Sequence, residues 1–196
     1  MAKTNAKQRL RARRRRERLR STFLWVAAGI AVIAVLAALV WSSIRPPGGE
    51  AVPVMASVQH VAEGQDPGAF NTDPPTSGPH YASPLKAGFY DESMVADLGP
   101  YPEGYLLHNL EHGYVILWYN CQLLTQTECG QLKEQLQEVI EGARSIKVIA
   151  FPWPILEVPV VATSWGRMMT FDEFSPRQAL AFVRSNRNKA PEPQAQ

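Results

Sequence analysis

Gly104-Tyr-Leu-Leu-His-Asn-Leu-Glu-His-Gly-Tyr-Val-Ile-Leu-Trp-Tyr119 joins two different patterns in sixteen residues. Its second half, Tyr114 to Tyr119, is an unbroken run of apolar, β-branched and aromatic residues, which suits a strand buried on both faces and hence the centre of a sheet. Its first half places two histidines and a carboxylate, His108, Glu111 and His112, within five residues. A spacing of four puts both imidazoles on one face of a helix about one turn apart, or about 13 Å apart along a strand. Only a helical or tightly turned backbone lets both reach one metal ion.

Downstream of the apolar run, Thr125 or Thr127 can cap a helix in which Leu132, Leu136, Val139 and Ile140 recur at helical spacing up to Gly142. Ser145 to Phe151 reads as a strand, Pro152-Trp-Pro154 as a break and Val158 to Trp165 as another strand. Ser175-Pro176 announces a last helix, with Ala179, Leu180, Phe182 and Val183 on its apolar side and an end near Asn188. Upstream, residues 45–104 hold ten of the sixteen prolines and eight of the thirteen glycines, which excludes long helices. Six Phe and Tyr residues between Phe70 and Tyr105 interleave them and argue for loops packed on a core. Ala51 to His60 reads as one short strand with His60 near its end. The fold expected is α+β, with a largely antiparallel sheet and two helices on one side of it, preceded by a Pro/Gly-rich loop region and one N-terminal transmembrane helix.

The charge is divided along the chain. Before Phe23 there are ten Lys and Arg against Glu17 alone, whereas from Pro46 onward nine Lys and Arg face seventeen Asp and Glu. Between these regions Phe23 to Trp41 is nineteen residues without a charge, enough at about 1.5 Å per residue to match a hydrocarbon core of roughly 30 Å. Trp25 and Trp41 sit near its ends, and the basic cluster places its N-terminal side in the cytoplasm. The expected organisation is therefore a basic cytoplasmic arm (1–22), a single-pass anchor helix in the cell membrane (23–44), a linker (45–53), an extracytoplasmic domain (54–189) and a polar tail with no reason to be ordered (190–196). A cleaved signal peptide competes with the anchor, but the apolar run is longer than the usual 7 to 15 residues of a signal h-region. Attraction to anionic lipid accounts for the arginines, so the membrane, and no nucleic acid, is the partner read from them.

Pro74-Pro-Thr-Ser-Gly-Pro-His-Tyr81 contains a Ser-Gly-Pro turn signal that fixes the backbone just before His80. This stretch, His108-Asn-Leu-Glu-His-Gly113 and Ser164-Trp-Gly166 together resemble the DUF3105 family of bacterial membrane-anchored proteins, over roughly residues 54 to 190. The family has no established activity. The resemblance implies that the His80 loop and the His108 segment are its two signature stretches.

Three readings of the histidines follow. In the first, His80, His108 and His112 bind one transition-metal ion, zinc or copper, with Glu111 as a fourth ligand or its hydrogen-bonding support, and His60 stays outside the set. Affinity is then expected to fall as pH drops through the histidine range near 6.5. In the second, the histidines form a structural hydrogen-bond network in an envelope module that binds another protein. In the third, His108-Asn-Leu-Glu-His112 is an H-x-x-E-H zinc hydrolase signature, against which stands the shortness of the segment between Gly104 and Gly113. No nucleotide loop, Gly-x-Ser-x-Gly elbow or Asp-rich calcium loop points to a commoner enzyme class. Outside the cytoplasm, where thiols are oxidised, Cys121 and Cys129 are expected to form a disulfide; against a role in disulfide exchange stand the seven residues between them, where redox motifs have two.

Overall fold

The structure, a computed structural model, describes residues 23–37 and 48–194. The chain divides into two compact units, Met1–Arg45 and Pro46–Gln196. In the first unit residues 23–37 form a helix, α1, with its side chains exposed. Among the described residues no helix is long and apolar enough to cross a membrane. The described helix covers only part of the expected anchor at 23–44; the rest of that span and the basic arm at 1–22 lie outside the described residues.

The second unit is α+β. Its strands are β1 (Glu50–Ala51), β2 (His60–Val61), β3 (His80–Tyr81), β4 (Gly88–Phe89), β5 (Val115–Tyr119), β6 (Val148–Pro152), β7 (Val160–Ser164) and β8 (Arg167–Phe171). Three helices accompany them: α2 (Glu103–Glu111), α3 (Gln126–Gly142) and α4 (Pro176–Asn186). Six strands make one sheet in the order β1-β8-β7-β5-β6-β4, while β2 and β3 pair separately. Three pairings of the large sheet are antiparallel, β1 with β8, β8 with β7 and β7 with β5. The pairings of β6 with β5 and with β4 are parallel. The sheet is thus mostly antiparallel with a parallel half. A parallel neighbour needs a crossover, and α3 supplies it between β5 and β6.

The apolar run of β5 occupies the centre, and every one of its residues is buried. Alternation sends Val115, Leu117 and Tyr119 to one face, where they meet Leu132, Leu136, Val139 and Ile140 of α3 and Ala179, Phe182 and Val183 of α4. The expected pair of helices therefore does share one side. Ile116 and Trp118 point the other way, onto Leu106, Leu107 and Leu110. Those leucines belong to α2, so a third helix covers the opposite face. Ile149 and Phe151 of β6 join that second cluster.

The ends of the elements follow their capping residues. Thr125, not Thr127, caps α3 in a complete capping box with Glu128. Ser175 caps α4, whose first position is Pro176. Where one strand was expected up to Trp165, β7 stops at Ser164 and a two-residue turn leads into β8; Gly166 takes φ +63° there, which favours glycine. The stretch Ala51 to His60, expected as one strand, contains only the residues of β1 and β2 at its ends.

Candidate metal centre

α2 carries the His108 segment. It runs from Glu103 to Glu111, with His112 as its C-cap, so the four-residue spacing is realised as one helical turn. The ring centroids of His108 and His112 are 4.2 Å apart. Gly104 sets where this helix lies: a Cβ there would come within 2.6 Å of the Tyr81 ring. Lacking one, the helix packs directly against β3, whose other residue is His80. Asn109 anchors the same helix on the opposite flank, as its side-chain amide donates to the Leu85 carbonyl at 2.8 Å and its oxygen accepts from Leu85 N–H at 2.9 Å.

The Pro74–Tyr81 loop holds His80 as the turn signal implied. Ser77 Oγ accepts from Met55 N–H at 3.0 Å, and Gly78 takes φ +140° where a Cβ would strike the Phe70 ring at 2.8 Å. His80 is fully buried. Its Nδ1–H donates to the Gly78 carbonyl at 2.8 Å. A carbonyl can only accept, so Nδ1 carries a proton. Nε2 faces Glu111 Oε2 at 3.0 Å, as a lone pair if the ring holds that proton alone or as a second N–H donor if it holds two.

His60 enters the group through backbone pairing. β2 and β3 are parallel, with His60 directly opposite His80 in the register, and the two rings lie 4.8 Å apart. His60 is also 5.2 Å from the His108 ring, and its Nε2 is 3.8 Å from Glu111 Oε2. One potential ligand atom from each of His60, His80, His108 and Glu111 falls within 4.8 Å of all the others. His60 is the exposed member; the other three are buried. The expectation that His60 stands apart is corrected: sequence distance hid it, and only the pairing of two two-residue strands brings it in.

His112 falls into a second group, with Glu111 and Glu192. Its Nε2 is 3.7 Å from Glu192 Oε2. Of the residues expected to form one ligand set, His80, His108 and Glu111 therefore come together, and His112 lies one turn away with Glu111 common to both groups. Glu192 belongs to the segment read as a tail with no reason to be ordered; its N–H donates to the Glu111 carbonyl at 3.0 Å.

Burial sets the electrostatics. The His108 imidazole is pushed down to about 4, first by desolvation and then by the neighbouring rings of His112, His80 and His60. His112 is also lowered, again chiefly by desolvation. The Nδ1 atoms of both rings are buried without a hydrogen-bond partner among the described protein groups. Buried polar atoms are normally satisfied, so these two nitrogens, one in each group, stand out, although the Tyr81 backbone also interacts with the His108 imidazole. Proton competition at His108 is displaced well below the ordinary range near 6.5.

The described cysteines form the expected Cys121–Cys129 disulfide. Beside it lies a cavity of about 310 Å³ lined by Tyr119, Cys121, Trp153 and Pro154, among others. No histidine reaches it.

Residues 60–196 match the family described as "Protein of unknown function (DUF3105)", and the chain belongs to that family. The match begins at His60 and spans every residue of both histidine groups. No curated protein and no solved structure matches the chain significantly.

Proposed function

We propose that the domain binds one transition-metal ion, zinc or copper, through His60, His80, His108 and Glu111. The observation that carries this reading is the contact of His80 Nε2 with Glu111 Oε2 at 3.0 Å while His80 Nδ1–H is held by Gly78. Two acceptors approach so closely when they share a cation, and a metal ion or a proton can serve. A backbone carbonyl on the far nitrogen is also the usual way of orienting a ligating imidazole. Tetrahedral ligands at bonds of about 2.0 to 2.1 Å are roughly 3.3 Å apart and never more than about 4.2 Å. The observed spacing of 4.8 Å or less is brought to tetrahedral distances by a closure of at most about 1.5 Å between ligand atoms.

Three imidazoles and a carboxylate suit Zn²⁺ and Cu²⁺. Glu111 lies at ligand distance, and this favours a binding role over that of the water-activating base in the H-x-x-E-H reading. Charge division and the apolar run support a domain anchored to the cell membrane with the metal outside the cytoplasm. Equilibrium dialysis of the full-length protein against Zn²⁺ or Cu²⁺ tests the proposal. His80→Ala and His108→Ala should each weaken binding at least about 10-fold, the effect seen even for orienting partners of ligands. Binding unchanged in both variants contradicts the reading and favours a hydrogen-bonded structural network, which a proton shared between His80 and Glu111 would also satisfy.

A further inference from the structure

We infer that the C-terminal segment completes a second metal site, in which Glu111, His112 and Glu192 hold an additional divalent transition ion and Glu111 bridges the two. The inference rests on the proposed first site for the bridge alone.

The segment after α4 is fastened back onto the end of α2. Asn188 N–H donates to the Gly113 carbonyl at 2.9 Å and Glu192 N–H to the Glu111 carbonyl at 3.0 Å. Lys147 Nζ donates both to the His112 carbonyl at 2.9 Å and to the Pro193 carbonyl at 2.7 Å, which clamps the segment beside the helix end. Gly113 makes the close approach possible: it has φ +79°, and a Cβ there would lie 2.7 Å from the Asn188 Cα. These contacts bring Glu192, eighty positions away in the chain, to His112.

The three residues offer ligand atoms within 4.8 Å of one another. Two of them are buried, and His112 is only 5 % exposed with Nδ1 unpartnered. His112 turns Nε2 towards Glu192 Oε2 at 3.7 Å, too far for a direct hydrogen bond, and an ion between them would close that gap. Glu111 turns Oε2 towards His80 and His60. A carboxylate has two oxygens, so one residue can serve an ion in each group, the arrangement found in two-metal sites. The second donor set is two carboxylates and one imidazole, which is harder than the first and accepts Zn²⁺ or Mn²⁺ with water in the remaining positions.

The test is the number of Zn²⁺ ions bound by the full-length protein at saturation, by dialysis and elemental analysis. Wild type should hold two per chain. Glu192→Gln should hold one, and because the Glu192 side chain is 60 % exposed this change leaves the fold intact. His80→Ala should keep the second ion with the first weakened. Two ions retained in Glu192→Gln, or one ion in wild type that Glu192→Gln leaves unaffected, overturns the second site and spares the first. One ion that is lost in Glu192→Gln and kept in His80→Ala overturns the first reading instead, while no ion at all overturns both.

Discussion

His80 and His108 show how a few atoms decide the character of the centre. His80 spends one nitrogen on a carbonyl and turns the other to Glu111; His108 is buried, with its Nδ1 unpartnered. A pH dependence follows for the metal-free protein. In the unfolded chain His108 takes up a proton near 6.5, whereas in the folded protein it resists until about 4. Between those values the unfolded state binds more protons, so stability rises with pH. The full contribution is present above about 6.5, declines as pH falls through the window and is gone by about 4; 2.5 pH units correspond to about 3 kcal/mol. Urea unfolding of the metal-free protein at pH 7.5 and 4.5 should show that loss, and His108→Gln should flatten it. An equal dependence in wild type and variant would remove His108 as the cause.

Among the elements, α2 and the strand pair β2–β3 assemble the centre, and Gly104 controls how they meet. Gly104→Ala adds up to about 1 kcal/mol of helix propensity but drives a methyl into the Tyr81 ring at 2.6 Å. Tyr81 is buried and its hydroxyl is tied to the Gln65 carbonyl at 3.0 Å, so the ring cannot retreat. Overpacking of about 1 to 3 kcal/mol should win, lowering both stability and metal affinity; a more stable variant would contradict the packing account. At α3, Thr125→Ala should cost about 1 kcal/mol through loss of the cap, with the metal affinity unmoved. The elements with strong periodicity or caps, β5, α3 and α4, were legible in the sequence because local chemistry specifies them. α2 was half legible: the His108–His112 spacing allowed a turn of helix or a strand, and the glycines bracketing it disguised a helix whose N-terminal glycine is a packing device. His60 and Glu192 were not legible. Each reaches the site through backbone pairing or tail docking between segments far apart in sequence, and no local pattern records such contacts.

At the scale of the molecule, the two units carry opposite charge, and this has a consequence for topology. A reporter enzyme that functions only outside the cytoplasm, fused after Gln196, should be active; activity only from a cytoplasmic reporter would reverse the orientation. Cys121 and Cys129 should likewise resist alkylation until reduced, and free thiols in full-length protein purified without reductant would contradict the disulfide. Both sulfurs stand outside the histidine groups, so the metal's own spectrum separates the possibilities. X-ray absorption at the metal edge of the loaded full-length protein is the most direct test. Nitrogen and oxygen neighbours at about 2.0 to 2.1 Å, with the outer-shell scattering of imidazole rings and no sulfur, are predicted. A shell containing sulfur at about 2.3 Å, or one without imidazole, would contradict the histidine centre.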